Sequence, residues 1–144
     1  MYGIKWALTS QSGGEAITSA TTITVAQVVA QSARNALITN IAFDLETSVA
    51  CEVIVQKQSS AGTMTANNPV SYGPGAPTLL TTGQRTATAE PTSSAVIMRR
   101  WTNSGKDILL TPDEGIELAG GERLGLTFIT EAAVTVHYTI LGRE

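Results

Sequence analysis

The stretch Leu37-Ile38-Thr39-Asn40-Ile41-Ala42-Phe43-Asp44-Leu45 carries the most fold information in this 144-residue chain. Leu37, Ile41, Phe43 and Leu45 fall on one side of a period-two pattern, and Asn40 and Asp44 on the other. Successive side chains of a strand point to opposite faces, so the pattern predicts a half-buried β-strand. Residues 49–57 alternate the same way after the turn-like Glu46-Thr47-Ser48, and the two segments read as a hairpin. Val49, Cys51, Val53 and Val55 share the apolar face of the second strand.

The C-terminal third repeats the theme. Leu124, Leu126 and Phe128 share a face, with Gly125, Thr127 and Ile129 opposite. Val134, Val136, Tyr138 and Ile140 share another, with Thr135, His137 and Thr139 opposite. Glu131-Ala132-Ala133 reads as the turn between them, and Gly120-Gly121 opens the pair. Weaker strands are expected at 3–8, 21–29, 84–89, 94–101, 108–110 and 116–118. Abundant Thr, Val and Ile favour sheet over helix. Residues 26–36 could also carry a helical turn or two, through Val28, Val29 and Ala33. From 59 to 83 the chain runs through Asn67-Asn68-Pro69 and Tyr72-Gly73-Pro74-Gly75-Ala76-Pro77, which reads as a long loop with at most a short strand at 70–72.

The sum is an all-β chain. About eight short strands predict an antiparallel β-sandwich, with a jelly roll as the expected architecture and an immunoglobulin-type sandwich as its competitor. Residues 1–34 would supply an N-terminal arm and first strands of the same domain, and 35–144 the body. The segment holding Tyr2, Ile4, Trp6 and Leu8 reads either as an arm that adds to a neighbouring sheet or as an ordinary first strand.

Composition narrows the function. Charged residues make up 15% of the chain, against about 25% in a typical soluble domain. Hydrophobic residues are 42%, so the low charge does not signal disorder. A net charge of -3 leaves no broad basic surface for phosphates, so no direct nucleic-acid ligand is expected. No apolar run is long enough for a membrane helix, and the N-terminus lacks the pattern of a signal peptide, so no membrane partner is expected.

Cys51 is the only cysteine and reads as a small buried hydrophobe. His137 is the only histidine and reads as a surface or interface residue, since imidazole metal sites recruit several ligands. Gly73-Pro74-Gly75 lacks the Lys-Ser/Thr of a phosphate loop, and no Gly-x-Ser-x-Gly elbow occurs. Asp113-Glu114-Gly115 reads as a turn rather than a calcium loop, and Glu90 and Glu122 are not read as a glycosidase pair, because carboxylates are common and sequence does not give their separation in space. No catalytic residue, cofactor or metal is expected, and the chain is read as a non-enzyme. Arg99-Arg100-Trp101 is a basic-aromatic cluster suited to protein contact.

The order of features carries a resemblance. The strand at 37–45 is followed by 49–58, which runs into Ser60-Ala61-Gly62-Thr63-Met64-Thr65. A Pro/Gly loop precedes Thr86-Ala87-Thr88-Ala89-Glu90-Pro91, and the Arg100-Trp101 strand follows. The end is Ile116-Glu117-Leu118-Ala119-Gly120-Gly121-Glu122-Arg123-Leu124-Gly125-Leu126, closed by Val134-Thr135-Val136-His137-Tyr138. Over residues 35–144 this resembles the jelly-roll decoration, or cement, proteins of tailed bacteriophages, which are similar in fold to trimeric tumour-necrosis-factor-like domains. The resemblance implies a structural virion protein, made in the host cytoplasm, that binds the outer capsid surface as a homotrimer and stabilises it. Its partner would be the major capsid protein. Candidate contact residues are Tyr2, Ile4, Trp6, Tyr72, Arg99, Arg100, Trp101, His137 and Tyr138. A receptor- or glycan-binding jelly roll of a tail fibre, using Tyr72 in the 59–83 loop, and another minor structural virion protein are the alternatives.

Overall fold

The computed structural model describes residues 3–18, 21–75, 78–102, 106–110 and 115–144, with 106–110 described by their backbone. Thirteen strands occur among them, and no helix. They are β1 (Lys5–Thr9), β2 (Glu15–Ile17), β3 (Thr22–Val29), β4 (Ala36–Leu45), β5 (Cys51–Gln58), β6 (Thr63–Ala66) and β7 (Val70–Ser71). Then come β8 (Thr82–Ala89), β9 (Ser93–Thr102), β10 (Lys106–Leu110), β11 (Ile116–Leu118), β12 (Arg123–Thr130) and β13 (Val134–Arg143). The helical alternative at 26–36 gives way to β3, because Val25, Ala26 and Val28 are all buried and two stacked sheets need them extended.

The strands form two antiparallel sheets packed face to face, a β-sandwich. The first runs β10-β4-β13-β1-β7, with β11 also on β4 and β2 also on β13. The second runs β6-β8-β3-β12-β5-β9. One sequence expectation is corrected here. β4 and β5 are not a hairpin: their turn, like the one between β12 and β13, carries the chain from one sheet to the other. Both members of each pair have one apolar face, and crossing between sheets lets those faces meet across the core.

β1 is an internal strand. It pairs with β13 over Lys5↔Arg143 to Thr9↔Thr139, and with β7 on its other side. The segment read as a possible free arm is therefore used within the chain. Inside the 59–83 segment, β6 and β7 are both present, so the region read as a long loop contributes a strand to each sheet.

The core lies between the sheets. Trp6, Leu8, Ile38, Ile41, Phe43, Val136, Tyr138 and Ile140 face Val28, Val53, Val55, Leu124, Leu126 and Phe128. Each such side chain contributes about 1.5–3 kcal/mol by leaving water. Phe43 and Phe128 meet edge to face, with ring centroids 5.3 Å apart at 81°. This contact joins the sheets at their centre and has the geometry aromatic quadrupoles prefer.

The outer side of the second sheet is also covered, by polar groups. Thr24, Gln27, Gln58 and Thr127 are buried there. Gln27 donates to Gln58 Oε1 at 2.7 Å and to the Ser60 carbonyl at 3.1 Å. Glu90 accepts from the Thr24 amide at 2.8 Å and its hydroxyl at 2.6 Å. Ser59 and Thr92 are tied by a 2.8 Å backbone bond, so the chain around 59–60 and 90–92 lies over β3 and β12. Gly125 leaves room for the Gln58 side chain, which a Cβ there would strike. Thr and Gln thus do work that ion pairs do elsewhere, which is one physical source of the sparse charge.

Candidate interaction surfaces

β9 is the outer edge strand of the second sheet, and β5 is its partner on the inner side. Its central run, Ala95-Val96-Ile97-Met98, is continuously apolar, yet only Met98 packs against the core. Val96 and Ile97 are 43% and 42% exposed, and Trp101 is 66% exposed. Two register shifts against β5, between Val55 and Gln56 and between Lys57 and Gln58, twist the strand. Arg99 pairs with Glu52 across the strands, while Arg100 is engaged by a neighbour. The cluster Arg99-Arg100-Trp101 therefore presents one bare aromatic ring beside committed guanidinium groups.

A groove of about 780 Å³ opens on the outer side of the first sheet, lined by Thr9, Ser10, Gln11, Asp44, His137 and Thr139 among others. Alternation places Asp44 and His137 outward, in register across β4 and β13. His137 Nε2 lies 3.0 Å from Glu46 Oε1. Ser10 is tied to the backbone of Tyr138 in both directions, its amide donating at 3.1 Å and its Oγ accepting at 3.2 Å. Among the described residues no group of three His, Cys, Asp or Glu could hold a metal ion.

The other expected contact residues separate by environment. Trp6 and Tyr138 are buried in the core, so neither ring is available to a partner; this corrects the expectation of contacts through them. Tyr138 was legible as core from its face with Val136 and Ile140. Its hydroxyl accepts from Asn67 Nδ2 at 3.1 Å, and burial pushes its pKa upward. Ile4 is half-buried and its amide donates to the Glu144 carbonyl at 3.0 Å. Tyr72 is 55% exposed beside β1, next to Val70 at 69%. Tyr2 lies outside the described residues, as do Asp113 and Glu114.

Cys51 is enclosed, and the carboxylates Glu15, Glu90 and Glu122 each have a structural partner. Cys51 is fully enclosed, and burial raises its thiol to about 11. Glu15 accepts from the Thr86 hydroxyl at 2.6 Å and faces Arg85 at 3.4 Å. Glu90 is held by Thr24 and Glu122 by Lys57, so the two carboxylates serve different contacts. Sequence reading missed Val70, Val96 and Ile97 as exposed residues, because an apolar run in a strand ordinarily signals burial on both faces. No described helix is long and apolar enough to cross a membrane. No known protein family, curated protein or solved structure matches this chain.

Proposed function

We propose that this chain is a structural protein that works by docking on other protein subunits, as a trimeric decoration protein on the outside of a phage capsid. The observation that carries the reading is β9: a ten-residue edge strand whose Val96, Ile97 and Trp101 lie open to solvent. Arg99, Arg100 and two bulges blunt part of this edge, yet Val96, Ile97 and Trp101 stay open, and exposed apolar side chains clustered on an edge strand suit a surface that another protein covers.

The strand order supports a jelly-roll assignment. Setting aside β2, β6, β7, β8 and β11, the remaining strands number one to eight in chain order. They lie as 6-3-8-1 in the first sheet and 2-7-4-5 in the second. That interleaving is expected of two nested Greek keys. An immunoglobulin-type sandwich joins sequence neighbours by hairpins within a sheet, whereas here only β5 and β9 among these eight are paired neighbours.

Light scattering of the purified chain tests the assembly. Three copies of the 15.0 kDa subunit are expected in one particle, and a stable monomer would overturn the trimer. Cosedimentation with purified capsids tests the docking. Trp101→Ala is expected to reduce occupancy without unfolding the chain, and capsids that leave the wild-type chain in the supernatant would overturn it.

A further inference from the structure

We propose that Lys5 and Arg143, with Tyr72 and Val70 beside them, form a docking surface for an acidic segment of a partner protein. The two cations are cross-strand partners in the β1–β13 pair. Ile4 and Glu144 next to them exchange both backbone hydrogen bonds, at 3.0 and 2.9 Å. Lys5 and Arg143 therefore occupy the following non-hydrogen-bonded position, where facing side chains come closest, with Cα atoms about 4.5 Å apart. Both point away from the core and both are exposed.

Like charges directly opposite on a sheet oppose folding. Among the described residues no carboxylate relieves the pair. Arg34 sits on Glu144, Lys57 on Glu122, Arg85 on Glu15 and Arg99 on Glu52. Arg100 is engaged too, and Arg123 lies half-buried on the other sheet. Among the described residues, Lys5 and Arg143 have no carboxylate partner, in a chain with twelve acidic residues and nine basic ones. Two adjacent, unanswered cations are complementary to carboxylates brought from outside.

The surroundings favour a polypeptide as the source of those carboxylates. The Tyr72 amide donates to the Lys5 carbonyl at 3.1 Å, so Tyr72 continues β7 alongside Lys5. Val70 is in register with Ala7, and Ala7 with Leu141. On the far side Arg143 is in register with Leu37, and Leu37 with Glu117. The cation pair is framed by an exposed tyrosine and aliphatic groups, with the acidic Glu117 two strands away at the far end of the row, and an exposed tyrosine beside an arginine has the composition of a protein-binding hot spot. Two cations on an acidic chain are too few for a nucleic-acid backbone.

This rests on the docking role proposed above only in taking the occupant to be a protein, and its test needs no capsid. Binding of a fluorescein-labelled poly-Glu peptide is followed by anisotropy at low and physiological salt. The wild-type chain is expected to bind saturably and more weakly as salt rises. K5A/R143A is expected to bind at least about tenfold more weakly, from loss of two charge-assisted contacts, with Y72A intermediate. K57A, which removes a cation already paired with Glu122, is expected to bind like wild type.

Absence of wild-type binding, or equal losses in K5A/R143A and K57A, would overturn the proposal. Tighter binding of inorganic tripolyphosphate than of the peptide would overturn the protein source. A change in the light-scattering mass of K5A/R143A would overturn it in favour of a contact between copies of this chain. Circular-dichroism melting of K5A/R143A is expected to match or exceed wild type, because a repulsive pair is removed; unfolding would assign the two residues to stability instead. Capsid binding unaffected by K5A/R143A would leave the docking role standing while this surface fails.

Discussion

The carboxylate of Glu144 accepts two hydrogen bonds from Thr81, with its Oε2 at 2.6 Å from both the amide and the hydroxyl. Oε1 takes the Leu80 amide at 2.8 Å and faces Arg34 at 3.5 Å. Burial alone would raise the pKa of this group. The Thr81 hydroxyl, the Leu80 and Thr81 amides and the Arg34 charge outweigh it and hold the carboxyl below its ordinary 4.5. The folded value is thus below the unfolded one, so this contribution is present in full above pH 4.5 and fades as pH falls through the folded value. Glu122, lowered by Lys57 and the Ala119 amide, adds in the same direction. Melting temperature is expected to hold from neutrality to about pH 5 and to drop below it. Glu144→Gln places an amide N–H against donors on one side, and is expected to cost about 1–3 kcal/mol at pH 7 and to flatten the acid limb. An unaltered acid limb in that variant would remove Glu144 from the account.

Thr86 has φ of +38°, the one non-glycine residue with positive φ among those described. A β-branched residue in that region is strained. The strain stands where β8 stops pairing with β3, after Arg85, and it delivers the Thr86 hydroxyl to the buried Glu15. Thr86→Val keeps the shape and removes the donor, and should lower stability by about 1–3 kcal/mol, measured by urea unfolding. Thr86→Ser keeps the donor and sheds one branch, and should leave stability unchanged or raise it. Equal losses in both variants would assign Thr86 to packing rather than to Glu15.

How far the fold was legible can be judged on β4. Its alternation in sequence puts Leu37 inside beside Ile41, Phe43 and Leu45. In the structure Ile38 is buried and Leu37 is half out. The cause is a register shift against β13, where Leu141 faces Asn40 but Gly142 faces Ile38. An extra residue in one strand reverses the facing on one side of it, and period-two counting cannot detect that. Sheet membership failed for a related reason. Residues 131–133 can close a hairpin or cross between sheets, and their local chemistry does not distinguish the two. Apolar faces set strand positions well, as at β12 and β13, because burial is a local demand. The Lys5–Arg143 juxtaposition and the Glu144–Thr81 clasp join residues far apart in the chain, so no local pattern announced them.

Gly142 shows how tightly that bulged register is packed. A Cβ on it would strike the Trp6 ring and come 2.7 Å from the Leu37 carbonyl. Trp6 is fully buried and the backbone of β4 is fixed by its ladder, so neither neighbour can give way cheaply. Gly142→Ala is expected to destabilise by about 1–3 kcal/mol, the usual cost of overpacking a filled core. Combining it with Trp6→Phe should recover part of the loss, which a double-mutant cycle in urea would measure. Strict additivity would mean the clash is relieved elsewhere.

The two tryptophans offer opposite reporters for the β9 surface. Trp6 is enclosed in the core, whereas Trp101 stands 66% exposed on the edge strand. Their emissions should separate. Trp101→Phe is expected to leave a blue-shifted emission that acrylamide quenches poorly, and Trp6→Phe a red-shifted one that it quenches readily. Exposed side chains contribute little to folding, so Trp101→Ala should move stability by no more than about 0.5 kcal/mol. If β9 is the face that meets another subunit, assembly removes Trp101 from solvent, and quenching of the Trp6→Phe variant should fall once its partner is present. Quenching that stays the same in a verified complex would place the contact elsewhere on the sandwich.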